Sequence, residues 1–151
     1  GLTLEQVRAL FNGTVKNWKE VGGADRPVRI VSREAGSGTR TSFEQIVGGI
    51  QLARDALVQD SNGTVRETVA NDAAAIGYLS HGLLNEKVMA VKVDGVDCTS
   101  AEIVAGRYRL VRPVFLMTKG EPAGVAKDFI DYILSKEGQA TIEKDGLLPA
   151  Q

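Results

Sequence analysis

The run Val31-Ser32-Arg33-Glu34-Ala35-Gly36-Ser37-Gly38-Thr39-Arg40 places an arginine, two hydroxyls and two glycines close together. A short apolar strand pattern ends, a glycine-rich turn follows, and Ser37-Gly38-Thr39 opens a helix pattern. The first N–H groups of a helix have no intrahelical acceptor. The helix dipole adds partial positive charge at the same end. Together these features form an anion site. Gly36 and Gly38 let the backbone approach a ligand closely. Ser37 and Thr39 can donate hydroxyl hydrogen bonds, and Arg33 can add a charge-assisted, bidentate contact to an oxyanion. On local physics alone, a second reading stands beside this one: Ser37 is an N-cap, Gly36 a turn residue and Arg33 a surface charge. The spacing fits neither a Walker loop nor a dinucleotide fingerprint.

The surrounding pattern alternates strands and helices. Thr3-Leu4-Glu5-Gln6 reads as a capping box, and Leu4, Val7, Leu10 and Phe11 form the apolar face of the helix it starts. Trp18 belongs to a short second helical turn, and Val28–Ser32 is a strand. Phe43, Ile46 and Val47 line the helix that follows the glycine turn, and Ile50 to Leu57 continues it in a weaker pattern. Ser61-Asn62-Gly63-Thr64 caps another helix. Ala75–Leu79 and Val88–Val93 read as strands, Thr99-Ser100-Ala101-Glu102 as a second capping box, and Tyr108–Thr118 as a long strand. Two helices close the chain, one from about Pro122 to Leu134 with Val125, Phe129 and Ile133 inward, the other N-capped by Ser135 and ending at Gly146. The alternation predicts an α/β three-layer sandwich with a mostly parallel sheet. The short connection before Val88 makes a mixed sheet the competing arrangement.

Composition narrows the function. The chain has 151 residues, 18 Lys plus Arg against 19 Asp plus Glu, and a formal net charge of -1. Its length suits one domain with a real core. Near-neutral charge gives no support to a nucleic-acid partner, which needs a basic excess. No apolar run reaches the ~18 residues of a membrane span. One cysteine, Cys98, and one histidine, His81, argue against a disulfide framework, a metal site and a histidine-based triad. No catalytic residue, metal or cofactor is therefore expected. A Ser37–His81 hydrolase is the weakest reading, because Gly36-Ser37-Gly38 is not a nucleophile elbow. Tyr78 is expected to pack in the core near a strand end, and Arg107, Arg109 and Arg112 to line a solvated strand face.

Arg33-Glu34-Ala35-Gly36-Ser37-Gly38-Thr39 resembles the R-x-x-G-S-G-T motif of the phosphate-binding proteins that serve ABC-type phosphate importers. Leu2–Gln6, Leu10–Gly13, Asn17–Gly23, Ala75–Tyr78, Tyr108–Pro113 and Phe129–Gln139 resemble further blocks of that family, in order and nearly end to end. The resemblance implies one lobe of a type II periplasmic-binding-protein-like fold, with residues 1–151 forming a single oxyanion-binding lobe. Family members have two lobes with phosphate in the cleft between them, and this chain resembles only their second half. Carried over by position, Arg33, Ser37, Gly38 and Thr39 would be its phosphate contacts. Some members carry an aspartate where this chain has Ala35, which puts phosphate-over-sulfate discrimination on this lobe in doubt. The partners implied are inorganic phosphate or a similar oxyanion, a first lobe or second protomer that completes the site, and an ABC permease. The implied location is extracytoplasmic. A half-site should bind weakly, on the order of millimolar. The alternative function is a sensor or protein-interaction module of the same fold with a changed ligand.

Overall fold

The computed structural model describes residues 1–150. The backbone divides into two compact units, residues 1–111 and the remainder from Arg112.

In the first unit, Thr3 caps α1 (Leu4–Phe11) with the full capping box: its side chain accepts from the Gln6 amide, and Gln6 reaches back to the Thr3 amide. Val7, Leu10 and Phe11 are buried, as their helical spacing dictates. A 3₁₀ turn, Trp18–Val21, follows, and the Trp18 indole N–H donates to the Ala74 carbonyl at 2.9 Å. Then come β1 (Arg29–Arg33), α2 (Gly38–Ile46), β2 (Leu57–Gln59), α3 (Asn62–Ala70) and β3 (Ala75–Gly77). The strands are all parallel in the order β2-β1-β3. Register pairs Val31 with Leu57 on one side of β1 and with Gly77 on the other. The β1-to-β2 connection steps to one side of the sheet and the β2-to-β3 connection steps back across it. Right-handed crossovers therefore put α2 and α3 on opposite faces. Val31 and Ser32 are wholly buried between them.

Phe11, Phe43 and Tyr78 form the aromatic centre of the core. Phe43 and Tyr78 are stacked with centroids 4.1 Å apart, and Phe11 meets Phe43 edge-on at 4.6 Å. Beneath α3, a β-carbon on Gly77 would come within 2.8 Å of a Val65 methyl, so the helix seats on β3 where a side chain is missing.

One helix expectation and two strand expectations are corrected. Residues 50–57 do not extend α2; Gly48 and Gly49 take positive φ angles and end it, and Leu57 starts β2. Residues 88–93 form no strand: only Val93 is buried, held by a parallel bridge to Leu2. Residues 108–118 form no strand either. Tyr108 is buried and donates to the Val91 carbonyl, but Val114, Phe115 and Met117 are 66–90% exposed. An apolar run becomes a strand only where a neighbour accepts its backbone hydrogen bonds. Thr99 caps α4 (Ser100–Val104) as expected. Arg107 and Arg109, placed on a strand face by the sequence, instead pair with Glu102 and Asp94.

The second unit holds α5 (Gly124–Leu134) and α6 (Lys136–Lys144), with Ser135 capping α6 through the Gly138 amide. The two helices pack where Gly138 is buried against the backbone of Tyr132 and Ile133. Val125 and Phe129, expected inward, are 84% and 55% exposed, since among the described residues no further element of this unit covers that face.

Candidate functional site

The carboxyl ends of β1 and β2 each lead into a helix. β1 ends at Arg33, and the turn through Gly36, whose φ is +92°, delivers Ser37 as the N-cap of α2. β2 ends at Gln59, and Ser61 caps α3. Because β1 lies between strands reached in opposite directions, its carboxyl end is the switch point of the sheet, the place where open α/β folds hold ligands.

Ser37 is 6% exposed, and its Oγ accepts from the Arg40 amide at 3.3 Å. The capping reading is therefore correct, and it does not exclude the other. Capping uses a lone pair of the hydroxyl and not its O–H, which can still donate. Gly38 and Thr39 form the first turn of α2, Gly38 exposed and Thr39 half-buried. Arg40 ties this turn to the strand end: Nη1 donates to the Arg33 carbonyl at 3.1 Å, while Nε pairs with Glu44 at 2.7 Å.

Arg33 is the charged centre, with its side chain 12% exposed. Nη1 donates to Asn62 Oδ1 at 2.9 Å, and Nη2 to the Asp60 carbonyl at 3.3 Å. The Glu34 carboxylate takes the other edge, with Nε–Oε2 at 2.8 Å and Nη2–Oε1 at 2.9 Å. This pairing holds the Glu34 carboxyl below the usual carboxylate range and keeps Arg33 charged, against the opposing pull of its partial burial. Tyr78 fixes the strand beneath. Its Oη lies 2.7 Å from Ser32 Oγ and accepts from the Arg33 amide at 3.2 Å. Tyr78 is thus both the expected packing residue and a support of the site.

Glu34, Asn62, Tyr78 and Ser80 complete the surroundings of Arg33, and motif reading did not assign them to it. Asn62 Nδ2 donates to Ser80 Oγ at 3.3 Å, linking the chain after β3 to the same cluster. Neighbouring residues on a strand point to opposite faces, which argues against a Glu34–Arg33 pair. Glu34 lies just past the end of β1, where that alternation no longer applies. Asn62 carries a local signal, its place directly after the N-cap Ser61, but its approach to Arg33 depends on β2, which the sequence pattern conceals. His81 heads a separate 3₁₀ turn, His81–Leu83, and Ser37 Oγ is engaged with Arg40. Among the described residues no cluster of His, Cys, Asp or Glu could hold a metal, and no helix is long and apolar enough to cross a membrane.

Known proteins share this architecture. A family model for the PBP superfamily domain matches residues 1–137. The phosphate-binding protein PstS of Bacillus subtilis is 36% identical over 151 residues, which cover 98% of this chain and 50% of that protein. Phosphate-binding protein PstS 2 of Streptococcus agalactiae is 43% identical over 133 residues, covering 81% and 45%. Among solved structures, an ABC-type phosphate transport receptor from Vibrio cholerae superposes with a TM-score of 0.91 at 34% identity, covering 99% of this chain and 64% of that one. PstS from Borrelia burgdorferi gives 0.83 at 28% identity, covering 99% and 64%. The chain spans about half the length of the curated relatives it matches.

Proposed function

This chain belongs to the PBP superfamily, and from that premise we propose that it is the phosphate-binding lobe of a solute receptor for ABC-type phosphate import. The observation that carries the reading is that, at the carboxyl ends of adjacent parallel strands, Arg33 meets the first turn of α3 through Asn62 and the first turn of α2 through Arg40, which donates to the Arg33 carbonyl. Both dipoles and the guanidinium favour negative charge at one spot. In this reading Arg33 supplies the charge, Ser37 and Thr39 supply hydroxyls, and the backbone of Gly38 and Thr39 faces the oxyanion. The chain acts as one lobe, a first lobe or second protomer closes the site, and an ABC permease receives the ion outside the cytoplasm. The role is binding, with no bond made or broken. The phosphate-binding relatives named above support it.

Magnitudes set the affinity. A hydrogen bond to a charged group is worth roughly 1.5–3 kcal/mol, while association costs at least ~4 kcal/mol. A half-site with a few such bonds should bind phosphate on the order of millimolar, about -4 kcal/mol. Titration of the isotope-labelled chain with phosphate, followed at the Ser37–Arg40 amides, tests this. Saturable millimolar shifts that vanish in Arg33→Ala support the reading. Shifts that persist in Arg33→Ala overturn it.

A further inference from the structure

The Arg33 guanidinium is already engaged by an anion of its own chain. The Glu34 carboxylate spans Nε and Nη2 at 2.8 and 2.9 Å, the two-point geometry that Arg offers to carboxylate and phosphate alike. Nη1 is held on its other side by Asn62, and Nη2 also donates to the Asp60 carbonyl. The fork edge facing Glu34 is therefore the edge an incoming oxyanion would use. Glu34 is the more solvent-exposed partner: its side chain is 41% exposed, against 12% for Arg33. The guanidinium is fixed by Asn62 and Asp60, whereas the Glu34 carboxylate is held chiefly by Arg33, with smaller contributions from its own backbone amide and the Arg40 charge.

We infer that Glu34 is a built-in competitor, an affinity-setting residue whose carboxylate occupies the Arg33 fork until an inorganic oxyanion displaces it. The inference rests on the oxyanion reading above and deepens it. Without an anion, the carboxylate keeps the arginine aligned and neutralised. With one, the carboxylate swings to solvent, and its bond to the fork is replaced by the ligand's. The site then binds an oxyanion less tightly than its arginine and helix dipoles would by themselves.

The test is a titration of the full 151-residue chain and two variants with phosphate and, separately, with sulfate, read at the Arg33 Nε–H and the Ser37–Arg40 amides. Glu34→Gln removes the competing charge with almost no change in shape. Glu34→Asp keeps the charge but is too short to span both fork nitrogens. The expected result is tighter binding of both ions in both variants, by about tenfold in Glu34→Gln, the factor set by ~1.4 kcal/mol, and by less in Glu34→Asp. Tighter binding in Glu34→Gln with none in Glu34→Asp would mean that Glu34 acts only through its field, and the competitor would be discarded. Unchanged affinity in both variants, with the wild-type chain binding normally, overturns the inference and leaves the oxyanion reading standing. Absence of binding in all three chains removes both.

Discussion

Asn62 Oδ1 accepts from Arg33 Nη1 at 2.9 Å, joining the first turn of α3 to the end of β1. The contact crosses 29 positions of sequence and fixes the direction in which the guanidinium points. Asn62→Ala removes that guide and also the bond to Ser80. Because Ser61 still caps α3, the helix should survive. The expected outcome is a several-fold weaker phosphate titration with a thermal midpoint close to that of the parent chain. A large drop in the midpoint would instead make Asn62 a structural residue.

Tyr78→Phe keeps the ring stack with Phe43 but deletes the hydroxyl that meets Ser32 and the Arg33 amide. Ser32 is fully buried. Leaving its hydroxyl and that amide short of a partner should cost about 1–3 kcal/mol. Urea denaturation measures this as a lower midpoint at unchanged slope.

Two glycines should fail for different reasons. Gly77→Ala forces a methyl to within 2.8 Å of Val65 and 3.2 Å of Val69, so α3 must lift from β3, at a cost of about 1–3 kcal/mol. Gly36→Ala meets no atom within 4 Å, but its φ is +92°, which an L side chain rarely adopts, so the cost is about 1–2 kcal/mol from backbone strain. Denaturation should show comparable losses. Only Gly36→Ala should also disturb phosphate binding, because it reshapes the turn into α2.

Acid should weaken the fold partly through Glu34. Its carboxyl lies below the ordinary value because Arg33 stabilises the charged form. The unfolded chain thus takes up this proton first as pH falls. The contribution is complete above the ordinary carboxylate pKa and is lost as pH drops through the folded value. Glu67 and Glu102 are lowered in the same direction by Lys87 and Arg107, so the acid limb is shared. Glu34→Gln should flatten its part of a stability-against-pH curve while leaving the rest.

Cys98 should react slowly with thiol reagents at neutral pH. Burial raises its pKa, with a smaller opposing effect from Tyr108, so little thiolate forms. Labelling should become fast only after denaturant is added. Fast labelling of the folded chain would contradict the packing around Tyr108.

Local order is written in the sequence over a few residues at a time. Thr3, Ser61, Thr99 and Ser135 each cap the helix that follows, because a side chain and an amide three positions apart meet whatever surrounds them. The turn from Arg33 to Ser37 is legible for the same reason: glycine at 36 permits the positive φ, and Ser37 starts α2. Strands are different, since their hydrogen bonds are made to distant partners. Leu57–Gln59 pairs with β1 although it looked like the tail of a helix, while the more strand-like 108–118 finds no strand to pair with among the described residues. The grouping of Asn62, Tyr78 and Ser80 around Arg33 belongs to the same class. By itself the sequence determined the motif, the helix starts and the candidate anion-binding residues. Only the tertiary structure decided what holds the arginine, because parallel pairing brings together strand ends that lie far apart along the chain, and that Glu34 turns back onto it, because β1 ends at Arg33.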